Sequence, residues 1–124
     1  LISWGEPSFG PYSLKGKPTV VDFTASWCGP CKKSFPELEA LRVKYKEQVQ
    51  FIAVNFDRDP QDREKFLEKN PLGFLHLTDE QRVFKKQFNV VALPTTLVFD
   101  SQGKEILRLR GYKPEFKEKI LTAL

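Results

Sequence analysis

The run Thr19–Ala25 reads Thr-Val-Val-Asp-Phe-Thr-Ala, and the segment from Pro30 to about Glu47 repeats Phe35, Leu38, Leu41 and Tyr45 at three- and four-residue steps. The first is too continuously β-branched and aromatic to be half exposed, so it reads as a strand covered on both faces. The second has the spacing of an amphipathic helix. A buried strand feeding such a helix needs a second layer to cover it, and the rest of the chain supplies the same alternation. Val49–Phe56 is a second buried strand, and Asp62–Lys69 a helix with Phe66 and Leu67 inward, ended by Asn70–Pro71. Phe74–Leu77 then reads as a short strand and Glu80–Phe88 as a short helix. Thr95–Phe99 and Glu105–Arg110 flank Asp100-Ser101-Gln102-Gly103, a hairpin turn, and Pro114 opens a closing helix over Glu115–Leu124. Leu1–Gly16 is a loosely patterned leading segment with a short strand around Phe9–Tyr12. Alternation first and a hairpin last predict an α/β sandwich whose sheet is parallel in part and antiparallel at one side.

The 124 residues suit one domain, 1–124, with 1–16 as its leading segment. A net charge of +4 is spread along the chain, and the longest basic runs are Lys32–Lys33 and Lys85–Lys86. Nucleic-acid binding is therefore not expected. No stretch approaches the ~20 apolar residues of a membrane span. Leu1–Tyr12 lacks a basic start followed by an apolar run, so no signal peptide is read there. The chain opens on Leu1 and has no Met, as a processed or trimmed chain would, so location is not read from this end.

The two cysteines stand three positions apart in Trp27-Cys28-Gly29-Pro30-Cys31, where the first strand gives way to its helix. Unpaired N–H groups and aligned peptide dipoles make a helix start electropositive, and a thiolate there is favoured over a thiol. The terminus supplies ~0.3–1 kcal/mol, up to ~2 when partly buried, and one pKa unit is about 1.4 kcal/mol. A shift of about one unit raises the attacking fraction at pH 7 about tenfold from the few per cent of an ordinary thiol. Residues three apart at a helix start share a face, with α-carbons near enough for a disulfide. Cys28, nearer the end, is expected to be the exposed nucleophile, and Cys31, one turn in, the buried resolving thiol. As a structural staple so short a loop contributes only roughly 2 kcal/mol. A zinc site needs four ligands, and the chain has one His and no further Cys. Redox chemistry is the preferred reading, with no metal and no cofactor beyond the dithiol.

Asp22 interrupts the apolar strand, and a carboxylate there is costly unless paired or protonated. Burial would raise its pKa and let it accept and return the proton of Cys31; a strand-end Asp facing water or paired with a Lys is the plainer alternative. Pro94, in Leu93-Pro94-Thr95, suits the start of a strand, and its residue type alone does not decide the peptide geometry.

Val21-Asp22-Phe23-Thr24-Ala25-Ser26-Trp27-Cys28-Gly29-Pro30-Cys31-Lys32 resembles the active-site stretch of the thioredoxin superfamily, and the likeness runs from Thr19 to the C-terminus. It implies a three-layer sandwich with a central mixed sheet flanked by helices. It also implies that Cys28 and Cys31 are the redox pair, that Asp22 is the family's buried acid, and that Pro94 is its cis-proline. Trp27, Gly29, Pro30, Leu93, Pro94 and Gly111 would then border the substrate groove. Leu14-Lys15-Gly16-Lys17-Pro18, Phe35-Pro36-Glu37-Leu38 and the insertion Asp57–Asp79, with its extra strand and helix, look like the exported TlpA/ResA-type branch. The region Asn89–Gly103 is also similar to the C-terminal domain of the membrane reductase DsbD. That branch reduces disulfides of exported proteins and takes electrons from a membrane thiol–disulfide reductase. The resemblance therefore implies protein-disulfide substrates, a monomer, and an extracytoplasmic or periplasmic location. A cytosolic general thioredoxin, served by thioredoxin reductase, is the alternative. The Gly-Pro dipeptide between the cysteines favours reduction, while Asn55 stands where thioredoxin has a lysine near the acid.

Two other classes fit less well. A thiol peroxidase would want Thr-x-x-Cys, and Thr24 is four before Cys28. A copper-carrying module of the Sco kind uses Cys-x-x-x-Cys with a distant His, whereas His76 sits in the apolar run Phe74-Leu75-His76-Leu77 and reads as a strand residue.

Overall fold

The computed structural model describes residues 8–9, 12–79 and 81–124. The leading segment carries β1 (Ser8–Phe9) and β2 (Tyr12–Ser13), paired antiparallel, where the sequence suggests one strand around Phe9–Tyr12. Residues 10 and 11 lie outside the described residues. Next come β3 (Thr19–Thr24), α1 (Gly29–Tyr45), β4 (Gln50–Asn55), α2 (Pro60–Lys69), β5 (Leu75–Thr78), α3 (Val83–Gln87), β6 (Thr95–Phe99), β7 (Glu105–Arg110) and α4 (Phe116–Ala123).

Strands β3 to β7 form one sheet in the order β5-β4-β3-β6-β7. β3 lies at its centre with all six residues buried, parallel to β4 and antiparallel to β6. β4 and β5 are parallel, and β6 and β7 antiparallel. The mixed sheet thus follows the predicted alternation. The inserted segment supplies α2 and the edge strand β5.

Side-chain alternation along β3 divides the core into two layers. Val20 faces α1, α2 and α4, where Phe35, Leu38, Phe66, Phe116 and Ile120 pack with Cys28 and Cys31. Val21 and Phe23 face the other side, where Leu14, Phe56 and Val90 pack and Phe84 and Phe88 cover them. Phenylalanine pairs join the layers' elements: Phe35 and Phe66 across α1 and α2 at 5.3 Å, and Phe51 with Phe74 at 5.1 Å. Phe74 is therefore an anchor before β5 rather than its first strand residue.

Helix limits follow local hydrogen bonding. Asp59 caps α2, its carboxylate accepting from the Gln61 N–H at 2.9 Å, and Pro60 fills the first turn, so the helix starts two residues before the apolar pattern does. α3 is shorter than expected. The Asp79 carboxylate accepts the N–H groups of Phe84 and Lys85, and Arg82 adopts the left-handed conformation at φ 61°, so helical turns begin only at Val83. Glu80 lies outside the described residues. The β6–β7 turn closes as predicted: Asp100 accepts from Gln102 and Lys104, and Gly103 takes φ 83°.

Candidate active site

The carboxyl ends of β3 and β4, being parallel neighbours, bring their following loops together at one end of the sheet. Cys28 sits where the β3 loop turns into α1, as its N-cap, and Gly29 and Pro30 form the exposed first turn. Cys28 and Cys31 are joined by a disulfide, with α-carbons 5.4 Å apart. The Cys31 N–H donates to the Cys28 sulfur at 3.3 Å. Reduction of the disulfide would leave this N–H, with the helix dipole behind it, to favour a thiolate on Cys28.

Exposure is more limited than the sequence suggests. Cys28 is 4% exposed and Cys31 0%, while the neighbouring Trp27 is 65% exposed. In the oxidised pair the Cys28 sulfur is bonded to that of the buried Cys31, and little of Cys28 meets solvent. The ranking of the two nevertheless follows their places on the helix.

Asp22 lies on the face of β3 that carries Val20, the same face covered by α1 and the cysteines. It is wholly buried, with Oδ1 accepting from the Thr96 hydroxyl at 2.9 Å and Oδ2 lacking a partner among the described residues. Burial pushes its pKa up to about 7, against a smaller lowering by the Thr96 hydrogen bond. It therefore faces neither water nor a lysine. The Thr24 hydroxyl, next on the same face, is also buried without a partner among the described residues.

The Leu93–Pro94 bond is cis, and Pro94 is buried. Its carbonyl accepts the Gly111 N–H at 2.7 Å, and Gly111 holds φ 81°, a conformation that L side chains rarely adopt. The Tyr112 hydroxyl donates to Glu37, tying the next residue to α1. Trp27 and Leu93 border one groove of about 170 Å³. A larger groove of about 730 Å³ lies at the opposite end of the sheet, near Lys17 and Gln50, away from the cysteines.

Sequence reasoning missed one support of the active-site loop. The buried Asp57 carboxylate accepts from the Ser26 N–H (2.9 Å), the Ser26 hydroxyl (2.7 Å) and the Asn55 amide (2.9 Å). Asn55 thus clamps the loop instead of standing free beside Asp22. The signal lay in the parallel pairing: Ser26 and Asp57 each stand two residues beyond paired strand ends. Asp57→Ala leaves three donors unsatisfied, and a loss of about 2–4 kcal/mol is expected in urea unfolding of the oxidised protein; an unchanged midpoint would contradict the clamp.

His76 lies in β5, its Nε2 2.8 Å from the Leu72 carbonyl oxygen, to which it donates. Among the described residues no three His, Cys, Asp or Glu gather as a metal site, and no helix is long and apolar enough to cross a membrane.

Residues 16–105 match a family model described as Thioredoxin-like. The thiol–disulfide oxidoreductase ResA of Bacillus thuringiensis subsp. konkukian is 34% identical over 99 residues, 79% of this chain and 57% of that protein. The thioredoxin-like protein YneN of Bacillus subtilis is 32% identical over 92 residues, 72% of this chain and 54% of its own. A crystal structure from Chlorobium tepidum, assigned as a thiol:disulfide interchange protein DsbE, superposes with a TM-score of 0.84 at 35% identity, covering 89% of this chain and 79% of that one. The chain spans little more than half the length of the curated relatives it matches. With that match across most of its length, and with its sheet, dithiol and cis-proline, the chain belongs to the thioredoxin-like family.

Proposed function

We propose that this domain is a thiol–disulfide oxidoreductase that reduces disulfides of protein substrates. The observation that carries the reading is the Cys28–Cys31 pair at the start of α1, with the Cys28 sulfur accepting the Cys31 N–H. In the dithiol form the Cys28 thiolate attacks a substrate sulfur, making a mixed disulfide and releasing the first substrate thiolate. Cys31 then attacks the Cys28 sulfur, re-forming the intramolecular disulfide and releasing the second. Asp22 takes the Cys31 proton during that step and returns it on re-reduction. Trp27, Gly29, Pro30, Leu93, Pro94 and Gly111 border the surface on which the substrate chain lies.

The redox group is the protein's own dithiol, and a thiol donor must restore it after each turnover. The similarity to ResA, with the sequence resemblance to the exported branch, supports a membrane thiol–disulfide reductase as donor and an extracytoplasmic site of action. The Gly-Pro dipeptide supports reduction as the net direction. Equilibration with glutathione or dithiothreitol tests it. A potential below about −200 mV is expected, whereas one near about −120 mV marks an oxidant and overturns the direction.

A further inference from the structure

The groove beside Trp27 and Leu93 has a charge pattern that exchange chemistry does not require. Among the described residues its lining is made of six apolar side chains and two cations, Arg82 and Lys85, with no carboxylate. Trp27 and Val91 form exposed apolar rims, 65% and 67% exposed.

Among the described residues, two nearby carboxylates are engaged elsewhere. Asp57 is buried on Ser26 and Asn55, and Asp79 is buried on the first N–H groups of α3. Arg82 is fixed in place. Its Nη1 donates to the Phe56 carbonyl at 2.6 Å and to the Asp79 carbonyl at 3.4 Å, and its guanidinium lies over the Phe56 ring at 5.1 Å. Its backbone is held at φ 61°, which a non-glycine residue adopts at a cost. The remaining guanidinium edge meets no acceptor among the described residues, and a pre-positioned fork of this kind suits a carboxylate.

We propose that Arg82 and Lys85 make this groove selective for disulfide substrates that carry an acidic residue beside an apolar one next to the reacting cysteine. The inference rests on the exchange reading above and adds the substrate's chemistry to it. The apolar side chain would cover Val91 and Leu93, and the carboxylate would sit between the two cations. One exposed ion pair changes an equilibrium by about 1.5- to 5-fold. Attraction for one substrate and repulsion of its basic counterpart compound that difference.

The test uses the reduced protein in single-turnover reactions with three disulfide-bonded peptides that differ only in having Asp, Asn or Lys beside the cysteine and an adjoining Leu. At low salt the second-order rate constant for the Asp peptide is expected to exceed that for the Lys peptide by about 5-fold or more. The gap should close towards unity at ~1 M salt, where charges are screened beyond about 3 Å. Lys85→Glu should reduce or invert the ratio, which is read within the variant and so does not depend on its absolute rate. Arg82→Gln should lower the ratio too, with its fold checked by circular dichroism. Equal rates for the three peptides, or a ratio unmoved by salt and by Lys85→Glu, overturns the selectivity while leaving the exchange reading intact. Failure of wild type to reduce even the Asn peptide overturns both.

Discussion

Cys28→Ser is expected to bring insulin-disulfide reduction down to the rate without protein, while Cys31→Ser is expected to accumulate a stoichiometric mixed disulfide. The asymmetry comes from position on α1. Cys28 is the N-cap, its sulfur receives the Cys31 N–H, and it retains 4% exposure; Cys31 is fully buried inside the first turn. A substrate disulfide is therefore expected to meet the Cys28 sulfur before that of Cys31. Without Cys31 the first exchange still takes place, but nothing displaces the trapped partner, and intact-mass measurement should show one adduct per chain. Without Cys28 the remaining thiol is shut away from protein substrates. The Cys31→Ser thiolate should also titrate below the ~8.5 of a free cysteine, followed by its ultraviolet absorbance. Equal and inert behaviour of the two variants, or adduct formation by Cys28→Ser alone, overturns the assignment of roles.

Much of this arrangement was legible in the residues because its causes are local. The continuous run Thr19–Thr24 could only be a covered strand, and the step from it to a helix placed Cys28 at an electropositive terminus. The hairpin turn was equally local, since Asp100 and Gly103 supply its hydrogen bonds and its positive φ. What escaped were contacts across sequence distance. Ser26 and Asp57 are 31 residues apart and meet only because β3 and β4 run parallel. Arg82 reads in the chain as one more surface cation, and its fixed place over Phe56 depends on the left-handed turn after Asp79. Pro94 is intermediate: its residue type left the peptide geometry open, and the family resemblance, rather than spacing, pointed to the cis bond.

Asp22→Asn is expected to raise stability at alkaline pH and to slow turnover at neutral pH, two effects of one buried carboxyl. Its folded pKa of about 7 lies above the ordinary 3.8 that it regains on unfolding. Between those values the unfolded chain has lost the proton that the folded chain keeps, so stability falls as pH rises from about 4 to about 7 and is level above. Three units at about 1.4 kcal/mol each give a loss on the order of 4 kcal/mol across that window. Asparagine cannot ionise and still accepts the Thr96 hydroxyl, although its amide fills the position of the unpartnered Oδ2 at a cost of about 1–3 kcal/mol. Oxidised wild type and variant should therefore be similar, or the variant slightly weaker, near pH 4, and the variant should unfold at higher urea concentration at pH 8. Parallel stability curves across that range would falsify the buried, protonated carboxyl. The kinetic arm is separate. With no proton acceptor for Cys31, resolution of the mixed disulfide should slow about 100-fold at pH 7. The deficit should shrink as rising pH ionises that thiol without help. A variant whose resolution rate and pH profile match wild type leaves Asp22 a purely structural cost, with the proton of Cys31 leaving by another route.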